Sequence, residues 1–170
     1  MLLLFCEYFY VCNYLRGAIS KFCRLIMETE EFLSILSAED DLDDHFIIKE
    51  GLSKAGVKAE IEFVTDGEAL IEKLLEYKDG NRPNIILLDL NMPKMNGHEA
   101  LKIISSLPEI KDIPVVVLTT SEDQSDIDQC YQLGVNKFIT KPASFEELVD
   151  IFKGLSKDWA KIVQLPSVNN

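Results

Sequence analysis

The sequence predicts an α/β fold built on a five-stranded parallel sheet. From Phe32 onward, short apolar runs alternate five times with longer segments of helical periodicity, a pattern typical of repeated strand–helix units. The third run, residues 84–90, is almost wholly apolar, as expected of a central strand that is buried on both faces. Helices would then cover both faces of the sheet.

The first two strand–helix units have clear boundaries. A buried strand over residues 32–38 precedes a helix over residues 43–55, which has acids in its first turn and Gly56 just past its end. The second strand, residues 59–64, alternates apolar with acidic side chains, which predicts one wetter face. A helix over residues 67–77 follows it.

Three further units complete the pattern. Their strands are predicted over residues 84–90, 113–119 and 137–140, and their helices over residues 97–107, 121–133 and 144–164. Gly134 ends the second of these helices. The last helix carries one apolar stripe, which we interpret as core: Phe145, Leu148, Phe152, Leu155, Trp159 and Ile162.

Length and composition indicate one globular domain. The chain has 170 residues, of which 47% are hydrophobic, enough for one buried core. Its net charge is −12, and because residues 1–27 contribute +2, the remainder carries −14. Most of this charge fits a solvated acidic surface. It argues against a nucleic-acid partner, because affinity for the phosphate backbone depends on lysine and arginine.

The cysteines indicate neither a zinc site nor a disulfide framework. Three of the four lie in the first 27 residues, and no two form a CxxC pair: Cys6, Cys12, Cys23 and Cys130. A body that contains Cys130 alone suits a reducing cytoplasm, which we predict as the location.

Residues 1–27 differ from the rest of the chain. They are apolar and aromatic up to Leu15 and basic afterwards, whereas a secretory signal has its positive charge ahead of the apolar stretch. The uninterrupted apolar runs are too short for a membrane span, so we expect no stable membrane insertion. We interpret the segment as an extension from a misplaced start, with Met27 as the start. The alternative is an amphipathic membrane-surface or docking segment. The domain would cover residues 32–165 and leave residues 166–170 as a tail.

Polar side chains stand where the predicted strands end. Glu39 and Asp40 follow the first strand, Asp89 closes the third run, Thr119 ends the fourth and Lys141 follows the fifth. Because the carboxyl ends of parallel strands meet at one edge of a sheet, we expect these side chains to share a crevice. Three acids in one place repel each other unless a cation lies among them. Oxygen ligands favour a hard ion such as Mg²⁺.

These residues suit transfer of a phosphoryl group to an aspartate. A metal held by Asp40 and Asp89 would neutralise charge on the transferring oxygens. Glu39 would hold a metal-bound water, and the backbone carbonyl of Asn91 would be a further ligand. The chain therefore has a suitable residue, at or just after a strand end, for each of these metal-binding roles.

Two more residues would bind the phosphoryl group itself. Lys141 would pair with one phosphoryl oxygen as a compact charge, and the Thr119 hydroxyl would donate to another. The acids that follow Asp40 are interpreted as helix-start residues: Asp41, Asp43 and Asp44. His45 and His98 lack ligand spacing to another histidine or cysteine, so we assign them no role in the site.

In these segments the chain resembles the receiver domain of two-component response regulators. The resemblance covers about residues 32–165 and rests on residues 35–41, 87–97, 114–121 and 134–142. It implies a flavodoxin-like, doubly wound (βα)5 fold with strand order 2-1-3-4-5. It also implies Mg²⁺-dependent phosphorylation of Asp89 by the phosphohistidine of a sensor histidine kinase. Such a domain is a phosphoacceptor that assists its own phosphorylation and dephosphorylation, and is not an enzyme. A cis bond between Lys141 and Pro142 is a further implication.

The resemblance implies a switch formed by Thr119 and Phe138. When Thr119 is drawn to the phosphoryl group, it would vacate space that Phe138 fills by turning inward. The face formed by residues 121–133, 137–140 and 144–164 would change with it, as a population shift between two packings. The output would be binding to a downstream protein, or relay of the phosphoryl group to a phosphotransfer protein.

A narrower similarity links the chain to the single-domain regulators that partner bacterial phytochromes and related kinases. It rests on residues 43–46, on the long loop before Pro83 and on residues 159–166. It implies a phytochrome-type histidine kinase as partner, and it makes the extended last helix a candidate homodimer interface. Asn96 stands where the family often has aspartate.

Three alternatives were weighed against this interpretation. A phosphohydrolase of the haloacid dehalogenase type needs an aspartate two residues after the nucleophile, where this chain has Asn91. A nucleotide- or flavin-binding domain needs a glycine-rich loop after the first strand, where this chain has acids. A degenerate receiver would act only as a protein interaction module, which the presence of all five site residues disfavours.

Overall fold

Strands and helices alternate five times along the part of the chain that the computed structural model describes, residues 33–77 and 81–162, with side chains as far as residue 156. The strands are β1 (Leu33–Ala38), β2 (Ala59–Val64), β3 (Ile85–Leu88), β4 (Val115–Thr119) and β5 (Lys137–Thr140). The helices are α1 (Leu42–Lys54), α2 (Gly67–Glu76), α3 (Gly97–Ser106), α4 (Gln124–Gln132) and α5 (Phe145–Ile162). The predictions for residues 1–27 and 166–170, and for the side chains of Trp159 and Ile162, lie outside these described parts.

The five strands form one parallel sheet in the order β2-β1-β3-β4-β5, which confirms both the predicted α/β class and the predicted strand order. The register places Ala38 beside Leu88, Leu88 beside Val117, and Thr119 beside Thr140. The carboxyl ends of β1, β3, β4 and β5 therefore reach the same edge of the sheet. The order steps from β1 to β3 at the centre, which is where crevices open in such sheets.

Alternate strand residues supply two cores, one on each face of the sheet. Leu36, Ile86 and Val117 face α2, α3 and α4, where they pack with residues such as Leu70 and Ile104. The intervening strand residues face α1 and α5. Helices therefore cover both faces, which is why β3 is buried along its whole length and reads as a continuous apolar run.

The stripe predicted for the last helix is confirmed for three of its four described side chains; Phe145 is half-buried, and the Lys54 ammonium lies 4.9 Å from its ring centroid. Leu148, Phe152 and Leu155 are buried in the core that α5 shares with α1 and the sheet. The fit against α1 is close, because a Cβ on Gly51 would lie 3.0 Å from the Phe152 ring. In the described ranges, no helix combines the length and the apolar character that crossing a membrane requires.

Local hydrogen bonds explain where the helices begin. Asp41 caps α1 by accepting from the Asp43 N–H, and Asp66 caps α2 by accepting from the Ala69 N–H, each at 2.8 Å. Asn96 and Glu99 form a reciprocal capping box on α3. The predicted helix ends are confirmed, since Gly56 (φ 75°) and Gly134 (φ 90°) follow α1 and α4 in the left-handed conformation that glycine adopts readily.

β3 covers Ile85–Leu88 rather than residues 84–90, and β4 and α4 begin two and three residues later than predicted. β4 begins at Val115 rather than at residue 113, because Pro114 has no N–H to donate to a neighbouring strand. α4 begins at Gln124 rather than at residue 121. The Ser121 hydroxyl accepts from the Asp123 N–H and donates to Asp126, and this holds residues 121–123 in a turn ahead of the helix.

The expected cis bond between Lys141 and Pro142 is wrong for this structure, since none of the described peptide bonds is cis. The trans form is the intrinsically favoured isomer. With it, the Lys141 N–H still reaches the Thr119 carbonyl oxygen at 2.7 Å, so the turn after β5 stays tied to the end of β4.

Candidate functional site

Asp89 lies at the centre of the crevice that the strand ends form. Its N–H donates to the Ala38 carbonyl at 3.0 Å, which extends the pairing of β3 with β1 by one residue. The residue is 5% exposed, and its Oδ1 accepts from the Asn91 N–H at 3.2 Å. The sheet therefore fixes the backbone of Asp89, and the loop that follows it orients the side chain.

Three carboxylates meet at this point. Glu39, Asp40 and Asp89 each offer an oxygen that lies within 4.8 Å of the other two. Glu39 and Asp89 are buried and Asp40 is exposed, so the cluster opens to solvent on one side. Oxygens at such spacing, with one open side, fit a hard divalent cation that keeps some of its water. The residues present therefore suit the Mg²⁺ that the sequence predicts.

Lys141 joins the cluster from the end of β5. Its Nζ lies 2.6 Å from Glu39 Oε2, 2.6 Å from Asp44 Oδ2 and 3.2 Å from Asp89 Oδ2. One compact ammonium group has three donors, so it serves all three carboxylates. The structure thus brings together Glu39, Asp89 and Lys141, which follow three different strands.

The electrostatics of the crevice are unbalanced toward negative charge. Burial by itself would lower the pKa of Lys141, but hydrogen bonds to Asp44 and Glu39 and the charge of Asp89 raise that pKa above the ordinary lysine value. Burial raises the pKa of Glu39, with Lys141 opposing and the charges of Asp89 and Asp44 reinforcing the rise. Lys141 stays cationic yet faces more carboxylates than it neutralises, so a cation would relieve the excess.

Asp44 belongs to the site, although the sequence suggested only a helix-start role for it. It lies in the first turn of α1, one turn ahead of Ile48, which is buried against the sheet. Residues four apart share a helix face. That spacing is the signal by which Asp44 was detectable, because it continues the sheet-facing side of α1 toward the strand ends.

His45 supports the site from outside, whereas the sequence assigned it no role. Its Nε2 lies 2.7 Å from the carbonyl oxygen of Glu39, and its ring stacks on Phe63 with centroids 4.1 Å apart. Since a carbonyl only accepts, the ring must donate from Nε2. This bond holds the backbone of the segment that carries Glu39 and Asp40, and no sequence spacing pointed to it.

Thr119 ends β4 with its side chain fully buried. Its hydroxyl oxygen accepts from the Ser121 N–H at 3.4 Å, so it is loosely tied to the loop that follows. At the exposed mouth of the crevice, the Asn91 side-chain amide lies 3.5 Å from the Thr120 hydroxyl oxygen. The structure thus places Thr119 at the end of β4, with Asn91 and Thr120 on the loops that follow β3 and β4.

Phe138 lies in β5, opposite Val117 of β4. It is half-buried and packs against the core on the α2, α3 and α4 side of the sheet. Its N–H donates to the Tyr131 hydroxyl of α4 at 3.3 Å. The side chain is therefore neither fully enclosed nor fully exposed.

His98 takes part in a chain of contacts beyond the crevice. Its Nε2 lies 3.1 Å from Asp126, and Asp126 accepts from the Ser121 hydroxyl at 2.5 Å. This hydrogen bond from Ser121, followed by that from His98, lowers the pKa of Asp126. The chain links α3, α4 and the loop after Thr119, and it was not apparent from the sequence because its members lie 28 and 5 residues apart.

Comparisons with known proteins agree with the geometry. The profile of the response regulator receiver domain matches residues 35–153. The chain is 38% identical over 136 residues to response regulator Rcp1 of Synechocystis sp. (strain ATCC 27184 / PCC 6803 / Kazusa), covering 78% of this chain and 92% of Rcp1.

Two solved structures are similar along nearly their whole length. The phosphorylated cyanobacterial phytochrome response regulator RcpA is 42% identical with a TM-score of 0.71, covering 80% of this chain and 99% of RcpA. The Mn²⁺-bound form of Rcp1 is 39% identical with a TM-score of 0.69, covering 79% of this chain and 99% of Rcp1. These findings confirm the resemblance to receiver domains and, more narrowly, to phytochrome-associated regulators.

Proposed function

Because the chain belongs to the response regulator receiver domain family, we propose that Asp89 accepts a phosphoryl group from the phosphohistidine of a sensor kinase. The observation that carries the proposal is the position of Asp89, buried between the Lys141 ammonium at 3.2 Å and the carboxylates of Glu39 and Asp40. The family is a phosphoacceptor signalling module rather than an enzyme with a separate substrate, and the proposed role follows that pattern.

The proposed transfer is a single displacement at phosphorus. An oxygen of the Asp89 carboxylate forms a bond to phosphorus while the bond from phosphorus to the imidazole nitrogen breaks, and that electron pair leaves with the imidazole. Lys141 would shift from its carboxylate partners toward one transferring oxygen, and the Thr119 hydroxyl would donate to another. Lys141 already lies 3.2 Å from Asp89, and Thr119 ends the strand next to β3.

Mg²⁺ is the proposed cofactor. Asp40, Asp89 and the backbone carbonyl of Asn91 would be its ligands, and Glu39 would hold it through a water. When bound, it would neutralise charge on the transferring phosphoryl oxygens. The mutual reach of the three carboxylates supports this assignment, as does the Mn²⁺-bound form of the related Rcp1.

We propose that the signal leaves the crevice through Thr119 and Phe138. Thr119 would exchange its weak contact with the Ser121 N–H for the phosphoryl oxygen. Phe138, which is half-buried, would then turn into the vacated space and alter the face formed by α4, β5 and α5. The phosphoryl group must bind one packing better than the other for the population to shift.

The proposed partner is a histidine kinase of the phytochrome type, because RcpA is described as a phytochrome response regulator and is 42% identical. The output would be binding to a downstream protein or transfer to a phosphotransfer protein, in the manner of a single-domain regulator. A homodimer through α5, a cytoplasmic location and a chain start at Met27 also stay proposals.

The test is the intact mass of the protein after incubation with Mg²⁺ and acetyl phosphate. We expect the wild type to gain one phosphoryl group, with no gain in Asp89→Ala or in the presence of EDTA. Asp112→Asn is the matched control, since Asp112 is an exposed aspartate that precedes β4 at the opposite edge of the sheet. It should be phosphorylated like the wild type.

The result that would overturn the proposal is a folded wild type that binds Mg²⁺ yet gains no mass from acetyl phosphate or from a phosphorylated histidine kinase of the phytochrome type. The chain would then be a receiver that acts only as an interaction module. A gain that persists in Asp89→Ala would instead move the acceptor to another residue.

A further inference from the structure

Lys94 occupies a backbone conformation that a lysine rarely adopts. With φ at 58°, it is the one non-glycine residue with positive φ among the described residues. The Cβ disfavours this left-handed region, which glycine and asparagine tolerate better. A contact made by the Lys94 side chain would offset the cost of this backbone conformation in the loop after β3.

That contact is an ion pair with Asp66. The Lys94 ammonium lies 2.6 Å from Asp66 Oδ2, while Oδ1 of the same carboxylate accepts from the Ala69 N–H at 2.8 Å. The Asp66 side chain is 3% exposed and that of Lys94 is 63% exposed, so the ammonium covers a buried carboxylate from the solvent side. The hydrogen bond from Lys94, more than that from the Ala69 N–H, lowers the pKa of Asp66.

The backbone beside Lys94 is pressed against the same helix. The Gly67 N–H, in the first turn of α2, donates to the Met95 carbonyl at 3.0 Å. A Cβ on Gly67 would lie 2.7 Å from that carbonyl oxygen, so only glycine allows the approach. Lys94 and Met95 thus bind the second half of the loop to the start of α2.

The two ends of the loop, at Leu90 and Gly97, are held together. The Gly97 N–H donates to the Leu90 carbonyl at 3.0 Å, and a Cβ on Gly97 would collide with the Asp89 carbonyl oxygen. Between these two fixed ends lies Asn91, whose N–H reaches Asp89 Oδ1 at 3.2 Å. Any loosening of the loop would therefore disturb both Asn91 and the Asp89 carboxylate.

We propose that Lys94 is a positioning residue which, through its pair with Asp66, holds the loop of residues 90–96 in the shape that supplies Asn91 and Asp89 to the Mg²⁺ site. We call the Lys94–Asp66 ion pair and the Gly67–Met95 hydrogen bond the clamp. The clamp rests on the contacts above, whereas its effect on Mg²⁺ binding rests on the proposed function. Lys94 touches neither the metal position nor the phosphoryl group. Its effect passes through the loop.

The sign of the effect separates positioning from simple charge. Removing a cation near an acidic crevice would, by Coulomb attraction alone, strengthen binding of Mg²⁺. Loosening the loop would weaken it, because ligands held by supporting contacts lose affinity when those contacts are lost. Weaker binding in a variant that lacks Lys94 can therefore only come from lost position.

The first measurement is the Mg²⁺ dissociation constant by isothermal titration calorimetry. Lys94→Asn tolerates the left-handed backbone but lacks the ammonium, and Asp66→Asn keeps the helix cap but loses the charge. We expect each to weaken Mg²⁺ binding roughly tenfold, the low end for supporting residues. Because both break one contact, the double variant should be no weaker than either single variant.

Two variants serve as controls for charge and for general damage. Lys94→Arg retains the cation and should restore binding close to that of the wild type. Lys111→Asn removes an exposed lysine from the opposite edge of the sheet and should leave binding unchanged or slightly tighter. With acetyl phosphate, Lys94→Asn should need more Mg²⁺ for half-maximal phosphorylation and should approach the wild-type rate when Mg²⁺ is saturating.

Amide exchange at Gly67, measured by NMR, tests the clamp without metal or phosphate. The Gly67 N–H should exchange faster in Lys94→Asn than in the wild type or Lys94→Arg, because its acceptor Met95 is no longer held. Unchanged exchange together with unchanged or tighter Mg²⁺ binding would overturn the proposal. If the wild type binds Mg²⁺ but is never phosphorylated, the proposed function fails, whereas faster exchange and weaker binding in Lys94→Asn would still establish the clamp.

Discussion

Lys141 draws on carboxylates from three parts of the chain, with Glu39 and Asp44 at 2.6 Å and Asp89 at 3.2 Å. Its three donors are all engaged. A phosphoryl group on Asp89 would bring oxygens that compete for those donors. We therefore expect phosphorylation to draw Lys141 away from Asp44, the partner that lies outside the carboxylate cluster around Asp89. The single residue thus couples the acceptor to the first turn of α1.

Asp66 carries a prediction about acid stability at the same scale. The hydrogen bond from Lys94 and then that from the Ala69 N–H lower its pKa in the folded protein. Because the folded pKa lies below the unfolded value of about 3.9, the stabilisation is present above that value and is lost as the pH falls through the folded pKa. The wild type should exceed Asp66→Asn in urea midpoint near neutrality, and the difference should shrink below about pH 4.

Urea unfolding of both proteins across the acid range, followed by circular dichroism, gives this comparison. A midpoint difference that stays constant from neutral to acid pH would contradict the prediction, because a neutral contact does not titrate. The absence of any difference at neutral pH would do so as well.

Helix starts account for much of how the elements are placed. Asp41, Asp66 and Asn96 each stand between a strand end and a helix and supply an oxygen to a backbone N–H of the first turn. The caps Asp41 and Asn96 thereby also end the loops that follow Asp40 and Asp89. The α4 helix differs, since Asp123 precedes it without a side-chain cap bond. Its start is set instead by Ser121, in the loop after β4, whose hydroxyl donates to Asp126 in the first turn of α4.

The capping box of α3 gives a prediction at the scale of one element. Asn96 accepts from the Glu99 N–H at 2.9 Å, and Glu99 accepts from the Asn96 N–H at 3.0 Å. Asn96→Ala removes the first bond and should lower the free energy of unfolding by about 1 kcal/mol. Asn96→Asp keeps an acceptor and should stay within about 0.5 kcal/mol of the wild type.

Chemical denaturation of both variants at neutral pH measures this loss. An Asn96→Ala protein as stable as the wild type would show that packing of α3 alone fixes its start. A large loss in Asn96→Asp would mean that the added charge matters more than the cap.

The molecule as a whole carries a strong negative charge, with −14 on residues 28–170 against −12 for the full chain. The parallel sheet gathers a part of that charge at one edge, where Glu39, Asp40 and Asp89 meet. Repulsion there opposes folding, and Lys141 offsets only part of it. We therefore expect the stability of the whole fold to depend on cation binding at this one place.

Mg²⁺ should accordingly raise the thermal midpoint of the wild type. A ligand that binds only the folded state at about 100 times its dissociation constant adds about 2.7 kcal/mol. Asp40→Asn removes a proposed ligand and should lose most of the shift. Sodium chloride at equal ionic strength is the control, because screening alone also relieves repulsion. A sodium chloride shift as large as that from Mg²⁺, or a full Mg²⁺ shift in Asp40→Asn, would argue against a specific site.

Most of the fold was predictable from the sequence because local patterns encode it. The fully apolar run of β3, the alternation in β2 and the glycines after α1 and α4 each depend on near neighbours in the chain. β2 and β5 were predicted to the residue, and the helix ends within a few residues. Errors occurred where a single hydrogen-bonding group decides a boundary. Pro114 has no N–H to donate, and the Ser121 hydroxyl accepts from the Asp123 N–H ahead of the helix.

The sequence by itself determined which residues stand at the ends of the strands, and hence the acids, hydroxyl and lysine that can meet at one edge of a parallel sheet. Only the tertiary structure decided their partners. Asp44 and His45 come to the crevice from a helix, and Lys94 reaches Asp66 across 28 residues. The physical reason is that a strand end is a local property of the chain. An ion pair between two loops depends instead on how the intervening elements pack.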